Sequence, residues 1–225
     1  MHSHYIRIVN ETDSEEKIMR LYIIRHGETD WNKEKKIQGH TDIPLNEYGR
    51  HLAEETAEGM KDIPMDLCFT SPLLRAKETA QIVLGDREIP VIEEPRIMEI
   101  GFGSFEGKGS STEAFRKFFS DTADYVAPED GETVFQLYER TGAFLKELCG
   151  REDLKDKKIL ISTHGAAMTA LLNRIRGNVS VEEFWKEEVP PNCAVTMVDV
   201  DGENWKIVKE NQVFYKEEVR HWKAV

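Results

Sequence analysis

The stretch Leu21-Tyr22-Ile23-Ile24-Arg25-His26-Gly27-Glu28-Thr29-Asp30-Trp31-Asn32, LYIIRHGETDWN, runs four apolar residues straight into an arginine, a histidine and a glycine. A short apolar run of this length reads as a buried strand. Ending such a strand on two groups that resist burial leaves two readings: a polar end that simply reaches water, or a site that holds both groups rigidly.

Working outward, further strand candidates lie at 66–70, 159–163, 194–199 and 205–210, with a weaker one at 89–92. Between them Leu45, Tyr48, Leu52, Ala53, Thr56, Ala57 and Met60 mark one helical stripe. Val134, Leu137, Tyr138, Thr141, Phe144, Leu145 and Leu148 mark another, and Ala167, Met168, Leu171, Leu172 and Ile175 a third, beginning just after His164. Thr133-x-x-Gln136 and Ser180-x-x-Glu183 predict capping-box helix starts, and Ser71-Pro72 predicts an N-cap followed by a first-turn proline. Strands alternating with helices predict an α/β fold, a three-layer sandwich whose central, mostly parallel sheet is flanked by helices. Glycines 101, 103, 107 and 109 break the pattern before a short helix at 112–120, so 101–131 is expected to be a small helical excursion over the site, a lid or specificity segment.

A chain of 225 residues with no repeat or linker suits one substantial core, with 1–19 as a polar lead-in (a short strand at 5–9 within it) and 20–225 as a single domain. No run of about 18 apolar residues proposes a membrane helix, and the N-terminal stretch lacks a signal-peptide core. A net charge of −12 without a basic stripe argues against nucleic acid; Lys33–Lys36 (KEKK) is too short and mixed to change this. That charge also means an anionic substrate needs local positive groups for its capture. Cys68, Cys149 and Cys193 are an odd number without C-x-x-C spacing, which predicts free thiols in a reducing cytoplasm and no zinc site.

In open α/β sheets, ligands bind beyond the carboxyl ends of the strands. Three predicted strand ends carry groups suited to phosphate: Arg25-His26-Gly27, Thr70-Ser71-Pro72 with Arg75 about a turn into the next helix, and Ser162-Thr163-His164-Gly165. Each histidine precedes a glycine, which removes a side chain and offers a backbone N–H near a helix start. A lone strand-end histidine is more often structural than functional, and a lone helical arginine is more often a surface group. Two His-Gly strand ends with two arginines form a combination harder to dismiss.

The ordered segments LYIIRHGETDWN, IQGHTDIPLNEYG (37–49), TSPLLRAKETA (70–80), MEIGFGSFEG (98–107), PEDGET (128–133) and STHGAA (162–167) carry a resemblance to the histidine phosphatase superfamily, the phosphoglycerate mutase-like proteins. The tripeptide R-H-G alone is weak; the ordered series is strong. The resemblance implies that His26 is a nucleophile forming a phosphohistidine, with its other ring nitrogen tied to an acceptor. It implies that Arg25, Arg75 and His164 surround the phosphoryl oxygens, with Asn32 adding an amide donor. Two arginines and a cationic histidine would then stand in for a metal, and no cofactor is expected.

Glu99 is the implied general acid for the leaving alkoxide. A glutamate ordinarily ionises near pH ~4, so it would need desolvation or a facing negative charge, and Phe102 and Phe105 are expected to supply an apolar wall. Its place in E-x-x-F-G-x-F-E-G lifts it above Glu28, Glu106 and Glu132. Gln38 and Gly39 match the family loop lining the phosphate pocket, and Gly165 completes the expected substrate-binding set. Thr133 and Ser71 are explained as caps and His40, His51 and His221 as surface residues; Phe115, Phe118 and Phe119 either line a substrate pocket or, as the default, pack locally.

The segment MEIGFGSFEG looks like the phosphatase branch and lacks the E-R-H-Y-G type segment of the mutases. The expected activity is therefore hydrolysis of a small phosphorylated metabolite. Phosphoglycerate mutase-type transfer is the first alternative and a non-catalytic phosphate-binding module the second. Phosphosugars, phosphoglycerate-like acids, nucleotide-derived monophosphates and ribazole phosphate are all compatible, and oligomeric state is not legible.

Overall fold

The computed structural model describes residues 18–219 apart from 110, 187 and 217, so the strand expected at 5–9 and His221 lie outside the described residues. The opening stretch forms β1 (Met19–Arg25), followed by the single-turn α1 (Asp30–Lys33), α2 (Glu47–Gly59), β2 (Leu67–Thr70), α3 (Leu74–Leu84) and β3 (Val91–Glu93). The excursion carries α4 (Glu113–Ser120). The chain then returns through α5 (Val134–Cys149), β4 (Lys158–Thr163), α6 (Gly165–Ile175), β5 (Val195–Asp201) and β6 (Asn204–Gln212).

The six strands lie in the order β3-β2-β4-β1-β5-β6. The β3–β2, β2–β4 and β4–β1 pairs are parallel, whereas β1–β5 and β5–β6 are antiparallel. Alternation along β1 builds the layers, because successive side chains point to opposite faces. Leu21 and Ile23 pack with Phe144, Leu145, Leu148, Met168 and Leu171 of α5 and α6. Tyr22 and Ile24 pack with Leu52, Ala53, Ala80 and Val83 of α2 and α3. Each fully buried aliphatic side chain of this kind contributes about 1.5–3 kcal/mol relative to exposure. A third cluster joins Phe102, Phe115 and Phe118 of the excursion to Ile37, Ile100 and Phe184.

Register decides where the polar strand ends arrive. Arg25 pairs with Thr163 across β1–β4, and Thr70 pairs with Ser162 across β2–β4. The His26 N–H donates to the Thr163 carbonyl at 2.9 Å. The carboxyl ends of β1, β2 and β4 therefore finish at one level, and the three polar segments expected from the sequence meet there.

Local expectations hold with instructive exceptions. Thr133 forms the capping box with Gln136, and all three cysteines are unpaired. The weak strand begins at Val91 because Pro90 has no N–H for the ladder, although its carbonyl accepts from Cys68 N. Ser71 does not cap a helix starting at Pro72: α3 begins at Leu74 behind Leu73, which makes no side-chain cap bond. At Ser180 the cap bond forms, with Glu183 N donating to Ser180 Oγ at 3.2 Å, but only turns follow. There Asn173 Nδ2 donates to the Phe184 carbonyl at 3.0 Å and ties the turn to α6.

Candidate active site

The cleft over the strand ends is lined by Arg25, His26, Asn32, Gln38, Gly39, Arg75, Glu99 and Gly165, with about 490 Å³ of empty space including its open mouth. His164 lies against this group, its ring centroid 5.1 Å from that of His26.

His26 is buried, and its Nδ1 lies 2.6 Å from the Gly27 carbonyl. A carbonyl only accepts, so Nδ1 carries the proton and Nε2 keeps the lone pair. Burial, then the charges of Arg75 and Arg25, hold His26 well below the ordinary histidine range against the opposing Gly27 carbonyl. The ring is neutral at pH 7. Asn192 Nδ2 donates to the His26 carbonyl at 2.8 Å, fixing the backbone beneath it.

Arg75 is fully buried. Its Nε donates to His164 Nδ1 at 3.2 Å, Nη1 to the Thr41 carbonyl at 3.0 Å and Nη2 to the Gly39 carbonyl at 2.7 Å. A guanidinium has five N–H donors, so those beyond these three remain for a ligand. Burial lowers Arg75 to about 10, which leaves it cationic at neutral pH. Arg25 donates from Nη1 to the Pro190 carbonyl at 2.6 Å, while its buried Nε has no hydrogen-bond partner. An unpartnered buried guanidinium N–H costs free energy that an incoming anion would recover.

The expectation of a cationic His164 is corrected. Arg75 Nε donates to Nδ1, so the ring's single N–H proton sits on Nε2 and is directed at Ser71 Oγ, 2.7 Å away. Burial, then the charge of Arg75, holds His164 well below its usual range. The positive charge of the cradle resides in the two arginines, and His164 orients one of them. Ser71, read as a helix cap, instead fixes the His164 tautomer.

Glu99 bridges to α6. Its Oε1 accepts from Ile100 N at 3.1 Å and Ala167 N at 3.0 Å, and Oε2 accepts from Ala166 N at 3.2 Å. It thus caps orphan N–H groups at a helix start. The expected apolar wall is only half present: Phe102 lines the cleft, whereas Phe105 lies outside it with the Lys108 ammonium 5.4 Å from its ring centroid. A β-carbon at Gly165 would crowd Val189 Cγ1 at 3.2 Å and stand at ordinary contact distance from Glu99 Oε2 (3.6 Å) and Arg25 Nε (3.7 Å).

Gly27 has a different cause from the expected ligand approach. A β-carbon there would meet the Gly49 carbonyl oxygen at 2.5 Å, so Gly27 permits close passage of α2. Gly39 combines φ +56° with contact against the Glu106 carboxylate, leaving no room for a side chain. Asn32 accepts through Oδ1 from Thr29 N at 3.1 Å, which leaves its NH₂ as the donor on the cleft. Gln38 Oε1 accepts from Thr29 Oγ1 at 2.9 Å.

Two residues ranked low or overlooked prove central to the scaffold. Glu106 accepts from His40 N, Thr41 N, Thr41 Oγ1 and Phe102 N, pinning the Gly39 loop to the excursion. Arg140 uses Nε and Nη2 on the Glu132 carboxylate and its terminal nitrogens on the carbonyls of Arg96, Met98 and Glu99. It holds the segment that presents Glu99. The only sequence signal was the Glu132 motif, and nothing in the spacing paired it with Arg140. His40 and His51 are exposed as expected, yet His40 Nε2 lies 2.8 Å from the Glu99 carbonyl. Phe115, Phe118 and Phe119 pack locally and also line the cleft with Trp185 and Val189.

A sequence profile described as "Histidine phosphatase superfamily (branch 1)" matches residues 21–213. The uncharacterized phosphatase PhoE of Bacillus subtilis (strain 168) is 35% identical over 189 residues, 84% of this chain and 92% of that protein. Phosphoglycerate mutase-like protein 4 of Arabidopsis thaliana is 32% identical over 207 residues, 88% of this chain and 87% of its own. Among solved structures, Bacillus stearothermophilus YhfR matches with a TM-score of 0.79 at 31% identity, covering 86% of this chain and 97% of that one.

Proposed function

The chain belongs to the histidine phosphatase superfamily, and we propose that it hydrolyses a small-molecule phosphate monoester through a phosphohistidine on His26, without a metal ion. The observation that carries this reading is the neutral His26, its proton fixed on Nδ1 by the Gly27 carbonyl, set between two buried arginines of which one has an unpartnered N–H. A phosphatase-named relative supports the reaction class.

In the first step the Nε2 lone pair bonds to phosphorus as the ester P–O bond breaks in line. The departing electron pair stays on the ester oxygen, which takes a proton from Glu99 and leaves as the alcohol. Oε2, with a single hydrogen-bond donor, is the carboxyl oxygen suited to carry that proton. In the second step a water oxygen attacks phosphorus and gives a proton to the Glu99 carboxylate. The P–N bond breaks, its electron pair returns to Nε2, and inorganic phosphate leaves. Arg25 and Arg75 stabilise the phosphoryl oxygens throughout, Asn32 and the Gly39 and Gly165 backbone add donors, and Gln38 braces the Thr29–Asn32 turn. His164 acts by orienting Arg75.

The test is phosphate release from a panel of monoesters, measured with and without EDTA. Hydrolysis insensitive to EDTA, with an acid-labile, base-stable phosphoenzyme, is the expected result. Strong EDTA inhibition would refute the metal-free mechanism. With 3-phosphoglycerate and a bisphosphate primer, phosphate without isomer is expected; isomer without phosphate would make the protein a mutase.

A further inference from the structure

Resting on the phosphatase reading, we infer that the cleft selects phosphate monoesters whose alcohol is apolar and carries a flat ring, and selects against esters bearing a second anionic group. Beyond the phosphate cradle, the wall is formed by Phe102, Phe115, Phe118, Phe119, Trp185 and Val189. Phe102, Phe115 and Phe118 are buried and form its backing, with Phe118 edge-on to Phe102 at 5.1 Å. Phe119 and Trp185 are half-buried and stacked, centroids 4.8 Å apart at 27°, so they are the rings a ligand meets. Trp185 is held in place by its Nε1, which donates to the Phe118 carbonyl at 2.8 Å. Aromatic faces and edges of this kind favour offset or edge-on contact with another ring.

Charge points the same way. Apart from Arg25 and Arg75, Lys36 is the only lysine or arginine among the described lining residues. Its ammonium is paired with Glu34 at 2.6 Å and lies 5.9 Å from the Trp31 ring centroid. A carboxylate or second phosphate on the substrate would meet that ammonium with its charge already offset by the Glu34 carboxylate, within a chain of net charge −12. A neutral ring would instead lose water contact against an apolar wall, which discriminates by roughly tenfold or more.

The test compares alkyl esters only, so that leaving-group acidity does not set the order: 2-phenylethyl phosphate, glycerol 3-phosphate and 3-phosphoglycerate. The expected kcat/KM is highest for the phenylethyl ester, by about tenfold or more over either other ester. In Trp185→Leu and Phe119→Leu, which keep apolar volume but remove the flat ring, the phenylethyl-to-glycerol ratio is expected to fall several-fold, through KM. A preference for 3-phosphoglycerate, or an unchanged ratio in both variants, would overturn the inference. Calorimetry with 2-phenylethylphosphonate separates the two readings. If it binds, and binds more weakly to Trp185→Leu, while no ester is turned over, the pocket inference stands and the phosphatase reading falls. If it fails to bind while esters are hydrolysed, the reverse holds.

Discussion

The phosphate cradle and the aromatic wall share one cleft but are built by different means. The cradle is a product of register: β1, β2 and β4 end together, and backbone bonds such as His26 N to the Thr163 carbonyl fix its groups. The wall is a product of side-chain packing in the excursion and the turns at Phe184 and Trp185, with few sheet contacts. In-line displacement depends on placement and charge, which register supplies. Recognition of an alcohol needs only a complementary surface, which packing supplies. The cradle should therefore fail abruptly under substitution, and the wall gradually.

The largest effect is expected from His26→Ala, which removes the nucleophile. Phosphate release should fall at least about 10³-fold for every ester while the thermal transition persists; full activity would end the proposed mechanism. Arg75→Ala comes next, with a loss of about 10²–10³-fold in kcat/KM. It should also lower Tm, because the Gly39 and Thr41 carbonyls lose donors within a buried setting. Retention of more than about a third of the activity would show that the cradle tolerates loss as the wall does. For Glu99→Gln we expect about 10²-fold on alkyl esters and much less on 4-nitrophenyl phosphate, whose leaving group needs no proton. An equal loss on both would mean that Glu99 only caps α6.

How far the sequence revealed this molecule follows the same division. The apolar runs and helical stripes predicted the layers because burial imposes a period, and β1 obeys it residue by residue. Arg25, His26, Arg75, Glu99 and His164 were legible as strand-end groups and through an ordered family pattern. Their convergence was not, since strand order is a non-local property. Polar partnerships were hardest. Ser71 fits a helix cap in sequence, and only the neighbouring strand end shows that His164 claims its hydroxyl. Arg140 and Glu106 are ordinary charged residues until their acceptors and donors arrive from distant segments. The charge of His164 is not legible in the sequence for the same reason: the state of a buried imidazole depends on what Arg75 does beside it.

The smallest expected effect concerns stability, and it separates cradle from wall without measuring turnover. His26 and His164 are both buried neutral with folded pKa values well below 6.5. In the unfolded chain they titrate near the ordinary value of about 6.5. As pH falls below that point the unfolded chain takes up protons that the folded protein refuses, so ΔG of unfolding decreases with falling pH. The contribution is fully present above pH ~6.5 and is lost progressively toward the depressed folded values. Tm should therefore decline between pH 7 and pH 5, and the decline should be shallower in His164→Asn, which removes one of the two refusing groups. The wall contains no such group, so Trp185→Leu should shift Tm while leaving its pH slope as in the parent. A Tm that is level or rises on acidification would mean that the two imidazoles are already charged in the folded state. The lone pairs assigned to His26 Nε2 and His164 Nδ1 would then be absent.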